Sequence, residues 1–140
     1  MSQENVEIVR RIYEAWAQGD FRARIGDLDQ HVVLVIRSDF PEFGVFLGLD
    51  GVRDYMRRFL EQWEQLTIQA TNLRAVGDTV LAQIVQHGKG RASGIEGDNR
   101  YFQLFTFRGQ KIVRMESIMD EAEALEAVGL SEQDAHAEGS

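Results

Sequence analysis

Residues 100–107 read RYFQLFTF, and from Tyr101 onward a single carboxamide, Gln103, stands among aromatic, aliphatic and hydroxyl side chains. In a β-strand, successive side chains point to opposite faces of the sheet. One face would carry Tyr101, Gln103, Phe105 and Phe107, and the other Phe102, Leu104 and Thr106. Both faces are largely apolar, which is typical of a strand covered on both sides. Because a buried amide without a partner costs about 1–3 kcal/mol, Gln103 is predicted to be either a hydrogen-bonded core group or part of the wall of a cavity.

The residues on both sides of this stretch predict three further strands joined by short turns. The strands read LTIQATNLRAV at 66–76, TVLAQIVQHG at 79–88 and KIVRMESIM at 111–119, with breaks at 77–78, 97–99 and 108–110. Glycine and a polar residue at each break are typical of turns, so the pattern predicts an antiparallel meander of four long strands. The glycines at 88, 90 and 94 predict bulges or a mobile hairpin tip.

Apolar residues recur at spacings of three and four in two N-terminal segments, which predicts two amphipathic helices. They are Val6, Val9, Ile12, Tyr13 and Trp16 in the first segment, and Val52, Tyr55, Met56, Phe59, Leu60 and Trp63 in the second. We expect Gly19 to end the first helix, Asp20 to cap a short helix over 21–28, and Asp50 to cap the second amphipathic helix. HVVLVI at 31–36 predicts a buried strand, and residues 37–48 predict a loop with a short strand. A last short helix is expected between Asp120, its cap, and Gly129.

Length and charge limit the partners that the chain can have. Its 140 residues fit one domain, which we assign to 1–130, followed by an acidic tail at 131–140 that is predicted to be disordered. With 15 Lys and Arg against 23 Asp and Glu, the formal charge is −8. This balance argues against nucleic acid and anionic membranes as partners, because both require a basic surface.

The residue types that are missing limit the chemistry. Cysteine is absent, and the three histidines show no metal-ligand spacing, so we expect no disulfide, no metal and no cofactor. The acidic N-terminal residues do not form a signal peptide, and no stretch is long and apolar enough to span a membrane. We therefore expect a cytoplasmic protein.

The order of the predicted elements, together with the sequences that carry them, resembles a known family. The segments are ENVEIVRRIYEAWAQGD, GLDGVRDYMRRFLEQWEQL, the GD turn at 77–78, FTFRGQKIVRMES and DEAEALEAVGL. Over roughly residues 3–130 they are similar to the SnoaL-like branch of the nuclear-transport-factor-like, or ketosteroid isomerase-like, superfamily. The resemblance implies an α+β fold in which a strongly bent antiparallel sheet wraps around a long helix, with further N-terminal helices, as a cone-shaped, cystatin-like α+β barrel with an open pocket. The superfamily contains cyclases, isomerases, hydrolases, dehydratases and noncatalytic binders, so the function has to be argued from the site.

The positions that ketosteroid isomerase-like members use for catalysis carry other residues here. Counting along the shared segments puts Ile12 at the position of a helical tyrosine, a residue near Ile36 at the position of the aspartate base, and Gln103 at the position of a protonated acid. The first two side chains cannot transfer a proton. A carboxamide at 103 can donate a hydrogen bond to a carbonyl or an oxyanion, but it does not titrate.

Three functional hypotheses follow from this sequence. The first is a homodimer whose mostly apolar pocket binds a small hydrophobic molecule with a carbonyl or hydroxyl group. The second is an isomerase, cyclase, hydrolase or dehydratase in which Asp39, Glu42 or His87 acts with Gln103. The third is a noncatalytic interaction module with a filled core. The predicted ligand-binding residues are Trp16, Met56, Phe59, Tyr101, Gln103, Phe105, Met115, Ser117 and Met119.

The predicted homodimer depends on the face of the sheet opposite Gln103. Phe102, Leu104 and Thr106, extended by Ile112 and Ile118 on the last strand, would leave an apolar convex surface. An apolar sheet face needs a cover, and we expect a second copy of the chain to provide it.

Overall fold

The chain forms three α-helices and six β-strands in the part that the computed structural model describes, residues 2–21 and 25–130. In chain order the elements are α1 (Ser2–Ala17), a 3-10 turn (Ile25–Asp27), β1 (Leu28–Ile36), β2 (Gly44–Leu47), α2 (Gly48–Glu61), β3 (Trp63–Val76), β4 (Thr79–Gly90), β5 (Glu96–Arg108), β6 (Lys111–Ile118) and α3 (Glu121–Ala127). The predicted α+β class is confirmed. The predicted tail at 131–140 lies outside the described residues.

The six strands form one curved, open sheet in the order β2-β1-β6-β5-β4-β3. β3 to β6 make the expected antiparallel meander, and β2 adds to β1 as an antiparallel edge strand. β1 and β6, however, are parallel, so the sheet is mixed. A parallel pair needs a long connection between its strands, and residues 37–110 supply it.

The concave side of the sheet holds the main core. α1 packs on β3 and β4, while α2 packs on β1 and β2. Val9 of α1, Val32 of β1 and Val80 of β4 are fully buried between these layers. The bent sheet and two helices therefore enclose the space in which the predicted site residues lie.

A bulge in β6 changes which face one of its residues occupies. Thr106 pairs with Arg114 but Phe107 pairs with Ile112, so Val113 is an extra residue on β6. Ile112 is fully buried in the main core. Its predicted place on the convex face is wrong, because a bulge interrupts the alternation of faces that the prediction assumed.

The convex face is covered in part by the chain itself. Leu104 and Ile118 form a second buried cluster there with Leu125 of α3. α3 folds back onto the sheet and covers these two residues, so they need no second copy as a cover, and the homodimer itself stays a prediction. The predicted ends of α3 hold, since the Asp120 carboxylate accepts a hydrogen bond from the backbone N–H of Glu123 at 3.0 Å and Gly129 has a positive φ of 80°.

Two predictions around α2 are wrong. The helix begins at Gly48 after Leu47, which makes no side-chain cap hydrogen bond, so Asp50 lies in the first turn and is not the cap. The helix ends at Glu61, and Trp63 is the first residue of β3. The apolar spacing continued by chance into the next element, where Trp63 still faces the same core.

Two other element predictions also need correction. Residues 97–99 lie within β5, and the β4–β5 turn lies at 91–95, where Gly94 has a φ of 69°. Of the short helix predicted over 21–28, only the turn Ile25–Asp27 is helical among the described residues. No helix in the described ranges is long and apolar enough to cross a membrane.

Candidate functional site

The concave side of the sheet, α1 and α2 enclose a cavity of about 850 Å³. This volume lies within the range of small-molecule sites, roughly 300–1,000 Å³. Aromatic side chains dominate the lining, and they are Tyr13, Trp16, Phe21, Phe40, Tyr55, Phe59, Trp63, Tyr101 and Phe105. The cavity is therefore an apolar space into which a few polar groups project.

Eight of the nine predicted ligand-binding residues line this cavity. They are Trp16, Met56, Phe59, Tyr101, Gln103, Phe105, Met115 and Ser117. Met119 is not among the lining residues, because β6 ends at Ile118 and the chain turns there toward α3. The alternation of faces along β5 and β6 was the signal that identified most of this set.

Gln103 is a hydrogen-bonded core group and a wall residue at the same time. Its side chain is 8% exposed, and its Oε1 accepts a hydrogen bond from Ser117 Oγ at 2.5 Å. Nothing within residues 2–21 and 25–130 accepts a hydrogen bond from its Nε2. The amide is thus hydrogen-bonded through Oε1 only, and its Nε2–H groups remain available as donors at the cavity wall.

The neighbours of Gln103 in the sheet are small. It pairs with Ala82 on β4 and with Ser117 on β6. Larger side chains at these two register positions would fill the space beside the carboxamide.

A second polar contact in the cavity wall is the hydrogen bond between Tyr101 and Gln86. The Tyr101 hydroxyl donates to Gln86 Oε1 at 3.3 Å, and Gln86 is 6% exposed. Burial, and then the neighbouring Tyr55, raises the pKa of Tyr101. The hydroxyl therefore stays protonated at neutral pH. Gln86 was not among the predicted site residues, although the alternation that places Ala82 and Ile84 on the core face also places Gln86 there.

Two more tyrosines bring hydroxyl groups to the cavity. Burial, followed by the nearby Tyr101, raises the pKa of Tyr13 well above its usual value. Burial, followed by the charge of Glu42, raises the pKa of Tyr55 to about 12. Both line the cavity. The count along α1 put Ile12 at the tyrosine position, but the next residue, Tyr13, brings a phenol to the same cavity.

Hydrogen bonds connect the segments that form the mouth of the cavity, which are the loop at Glu42, the end of α2, the start of β3 and the β4–β5 turn. Gln62 Nε2 donates to Glu42 Oε1 at 2.7 Å. Arg91 of the β4–β5 turn donates from Nε to the carbonyl oxygen of Glu61 at 3.1 Å and from a terminal nitrogen to that of Trp63 at 3.0 Å. Its backbone N–H donates to the carbonyl oxygen of Gln62 at 2.8 Å. The turn is thereby fixed to the end of α2 and the start of β3.

Only one of the three predicted acid–base candidates lines the cavity. Glu42 lies at the mouth, whereas Asp39 is exposed and outside the lining. His87 lies on the convex face, where its Nδ1 is hydrogen-bonded to Asp98, and this bond raises the pKa of His87. Acid–base chemistry in the cavity through Asp39 or His87 is therefore not supported. No group of His, Cys, Asp and Glu in the described part of the chain could hold a metal ion.

The family model of the SnoaL-like domain matches residues 9–115. The chain belongs to the SnoaL-like family. This confirms the resemblance inferred from the sequence. A comparison with curated proteins found no significant match.

Solved structures show that this SnoaL-like chain has the NTF2-like fold. An NTF2-like protein from Burkholderia thailandensis E264 is 27% identical, with 83% of this chain and 90% of that chain covered and a TM-score of 0.75. A candidate SnoaL-like polyketide cyclase from Jannaschia sp. CCS1 is 20% identical, with coverage of 91% and 92% and a TM-score of 0.75. Bal32a, from a soil-derived mobile gene cassette, is 16% identical, with coverage of 88% and 94% and a TM-score of 0.76. The cone-shaped α+β fold expected from the resemblance is thus confirmed.

One glycine shapes the wall of the cavity in this SnoaL-like chain. Gly88 of β4 lies against the indole of Trp63, and a Cβ at this position would come within 2.5 Å of ring atom Cε3. The indole could not lie there against any larger residue. Gly88 therefore sets the position of one aromatic wall residue.

We expect Gly88→Ala to displace Trp63, shift its fluorescence and lower the free energy of unfolding by about 1–3 kcal/mol, the usual cost of overpacking. The matched control is Gly97→Ala, since Gly97 is the β5 partner of Gly88 and a Cβ there would meet nothing within 4 Å. Urea denaturation followed by tryptophan fluorescence compares the two variants. Equal stability of both would show that the Gly88–Trp63 contact does not position the indole.

Proposed function

We propose that this SnoaL-like protein binds a small, largely apolar organic molecule with a carbonyl or hydroxyl oxygen. The observation that carries the proposal is the amide of Gln103, whose Oε1 is held by Ser117 while its Nε2 has no acceptor among the described residues. A carbonyl or hydroxyl oxygen at this point accepts the free hydrogen bond. The rest of the molecule lies against the aromatic lining.

The energetics favour such a ligand. Gln103 Nε2 is accessible from the cavity, so a ligand oxygen takes the place of water there and keeps the donor hydrogen-bonded when the ligand fills the space. The ligand also removes apolar wall from water, at roughly 25 cal/mol per Å². Ser117 contributes indirectly, since its hydroxyl fixes the amide with Nε2 directed away from β6.

An enzyme would additionally need a group that accepts a proton. The tyrosines of the wall stay protonated because burial raises their pKa values, and the carboxamides of Gln86 and Gln103 do not titrate. Glu42 is the one member of the predicted acid–base set that lines the cavity. These properties support binding and do not support isomerase-type catalysis. The size of the cavity argues against the filled core of an interaction module.

We further propose that the protein is a homodimer through the convex side of the sheet. α3 covers Leu104 and Ile118, but Val45 and Leu47 of the edge strand β2 remain 62% and 68% exposed. They pair with Val35 and Val33 of β1, and these four side chains form an apolar strip on the convex side. A second copy packed on this strip would bury on the order of 1,200–2,000 Å² in total, the usual size of a specific interface.

The role of Gln103 is tested with prodan, a neutral, fluorescent apolar ketone. In Gln103→Leu we expect prodan affinity to fall about fivefold or more, which corresponds to the loss of one hydrogen bond of about 1 kcal/mol. The matched control is Gln83→Leu, the same change on the convex face of β4, which should leave the affinity unchanged. Undiminished binding by Gln103→Leu would contradict the proposal.

Stability measurements separate the structural role of Gln103 from its role in binding. Gln103→Leu leaves the Ser117 hydroxyl without its acceptor, and Ser117→Ala leaves Oε1 of Gln103 without its donor, so each should lower stability by about 1–3 kcal/mol. Ser117→Ala retains Nε2, and we therefore expect it to keep most of the prodan affinity. Equal loss of prodan binding in both variants would show that only the packing of the pair matters.

We expect no measurable isomerisation of an unsaturated ketosteroid by the wild-type protein or by Gln103→Asp. The residue near Ile36 that the count places at the position of the base is expected not to accept a proton, and an acid at 103 does not supply that base. An absorbance assay of the conjugated ketone product measures the reaction. Turnover by the wild type would show that another group, such as Glu42, acts as base.

Sedimentation velocity tests the assembly. At tens of micromolar the wild type should sediment as a dimer, while Val45→Glu should shift it toward monomer, because a charge in the buried strip is costly. Arg53→Glu, on the exposed side of α2, is the control for a change of charge elsewhere. A wild type that is monomeric at these concentrations would contradict the dimer.

A further inference from the structure

Two groups of touching aromatic rings lie in the wall of the cavity, one of two rings and one of three. The Phe40 and Tyr101 rings meet edge to face at 5.4 Å between centroids, Tyr55 stacks on Phe59 at 5.9 Å, and Phe59 meets Trp63 at 6.1 Å. All five rings line the cavity. We call them the aromatic wall.

A carboxylate lies beside this wall. Glu42 accepts one hydrogen bond, from Gln62, and forms no ion pair with any residue of the described ranges. Its charge reaches the wall, since it contributes to the raised pKa of Tyr55. A carboxylate that is half-buried and not ion-paired favours a cation next to it.

The other charges near the mouth have partners. The Glu61 carboxylate lies 3.5 Å from Arg57, and Asp98 pairs with His87 on the convex side. Arg91 directs its guanidinium at the carbonyl oxygens of Glu61, at the end of α2, and of Trp63, at the start of β3, and the partial negative charge of the helix end offsets its charge. Among these groups, Glu42 is the one that retains an unbalanced charge at the aromatic wall.

We infer that the mouth half of the cavity receives a substituted ammonium group, with the aromatic wall around it and Glu42 as its counter-ion. The inference rests on the proposed function and narrows it to one ligand class, organic cations with an apolar body and a carbonyl or hydroxyl group that reaches Gln103. Ring faces attract an alkylated ammonium group, which has few or no hydrogens to donate. A carboxylate ligand would instead be repelled by Glu42.

A cation already lies over a ring that packs on the aromatic wall. The Arg58 guanidinium lies 5.6 Å from the centre of the Phe46 ring, and that ring packs at 4.9 Å on Tyr55. Here a cation from α2 lies over an aromatic ring of β2 that packs on Tyr55, at a distance typical of a cation–π contact.

The test compares acetylcholine with 3,3-dimethylbutyl acetate, which has the same shape and the same ester carbonyl but carbon in place of the charged nitrogen. Tryptophan fluorescence or NMR titration at low ionic strength gives the two dissociation constants. We expect the wild type to bind the cation at least about threefold more tightly, as a partly desolvated cation–π contact would. Added salt should reduce this ratio, because it screens the charge of Glu42.

Glu42→Gln should lower the ratio of the two affinities to about one, because it removes the charge but keeps the shape of the side chain. The matched control is Asp39→Asn, which removes the same charge from the same loop outside the cavity lining and should leave the ratio unchanged. Tyr55→Phe should keep the ratio, and Tyr55→Leu, which removes the ring, should lower it.

The outcomes separate the inference from the proposed function. Equal affinity of the wild type for the two probes overturns the inference, and prodan binding that still depends on Gln103 would then leave the proposed function intact. A ratio that persists in Glu42→Gln excludes Glu42 as the counter-ion and overturns the inference as stated. Failure of prodan and of both esters to bind overturns the proposed function and the inference together.

Discussion

The C-terminal half of β5 is largely buried on both faces, and this double burial determines where the other elements can lie. Its concave side contributes Gln103 and Phe105 to the cavity, while its convex side places Leu104 beneath Leu125 of α3. A strand of this kind needs neighbours on both edges for its backbone and a cover on both faces for its side chains. β4 and β6 take the edges, α1 and α2 cover one side, and α3 covers part of the other. The cavity lies between the concave side of the sheet and these two helices, with Gln103 in its wall.

Much of the fold could be predicted from local patterns. The alternation in 100–107 and the turns around it specified the meander, and the spacing of three and four specified α1 and α2. The errors in the predicted elements lie where the apolar spacing of one element continues into the next, or where a bulge interrupts the alternation of a strand. Trp63 continues the helical spacing but begins a strand, and Ile112 occupies the core face because of an extra residue in β6. Neither the bulge in β6 nor the packing of α3 on the sheet changes the local spacing of apolar residues in the sequence. Both depend on contacts between segments that are distant in the chain.

The site was predictable to the extent that it follows strand alternation. Gln103 and Ser117 were placed on one face, and the structure joins them by a hydrogen bond. Gln86 could have been found by the same rule, whereas Tyr13 and Tyr55 were read as parts of apolar helix stripes. A tyrosine satisfies both descriptions, since its ring packs like a hydrophobic residue while its hydroxyl remains available. Only the three-dimensional arrangement shows that these hydroxyls come to the same cavity.

The parallel pairing of β1 with β6 has a consequence for the order of folding. β1 and β2 join the sheet through β6 alone, which is the last strand to leave the ribosome. Until then β1 has an unpaired edge rich in valine and isoleucine, of the kind that pairs readily with other chains. Contacts between such distant segments also slow folding, since a long loop has to close before they form. The protein must therefore complete its sheet after synthesis of β6, and truncation before this strand leaves residues 1–110 with an unpaired edge on β1 that favours aggregation.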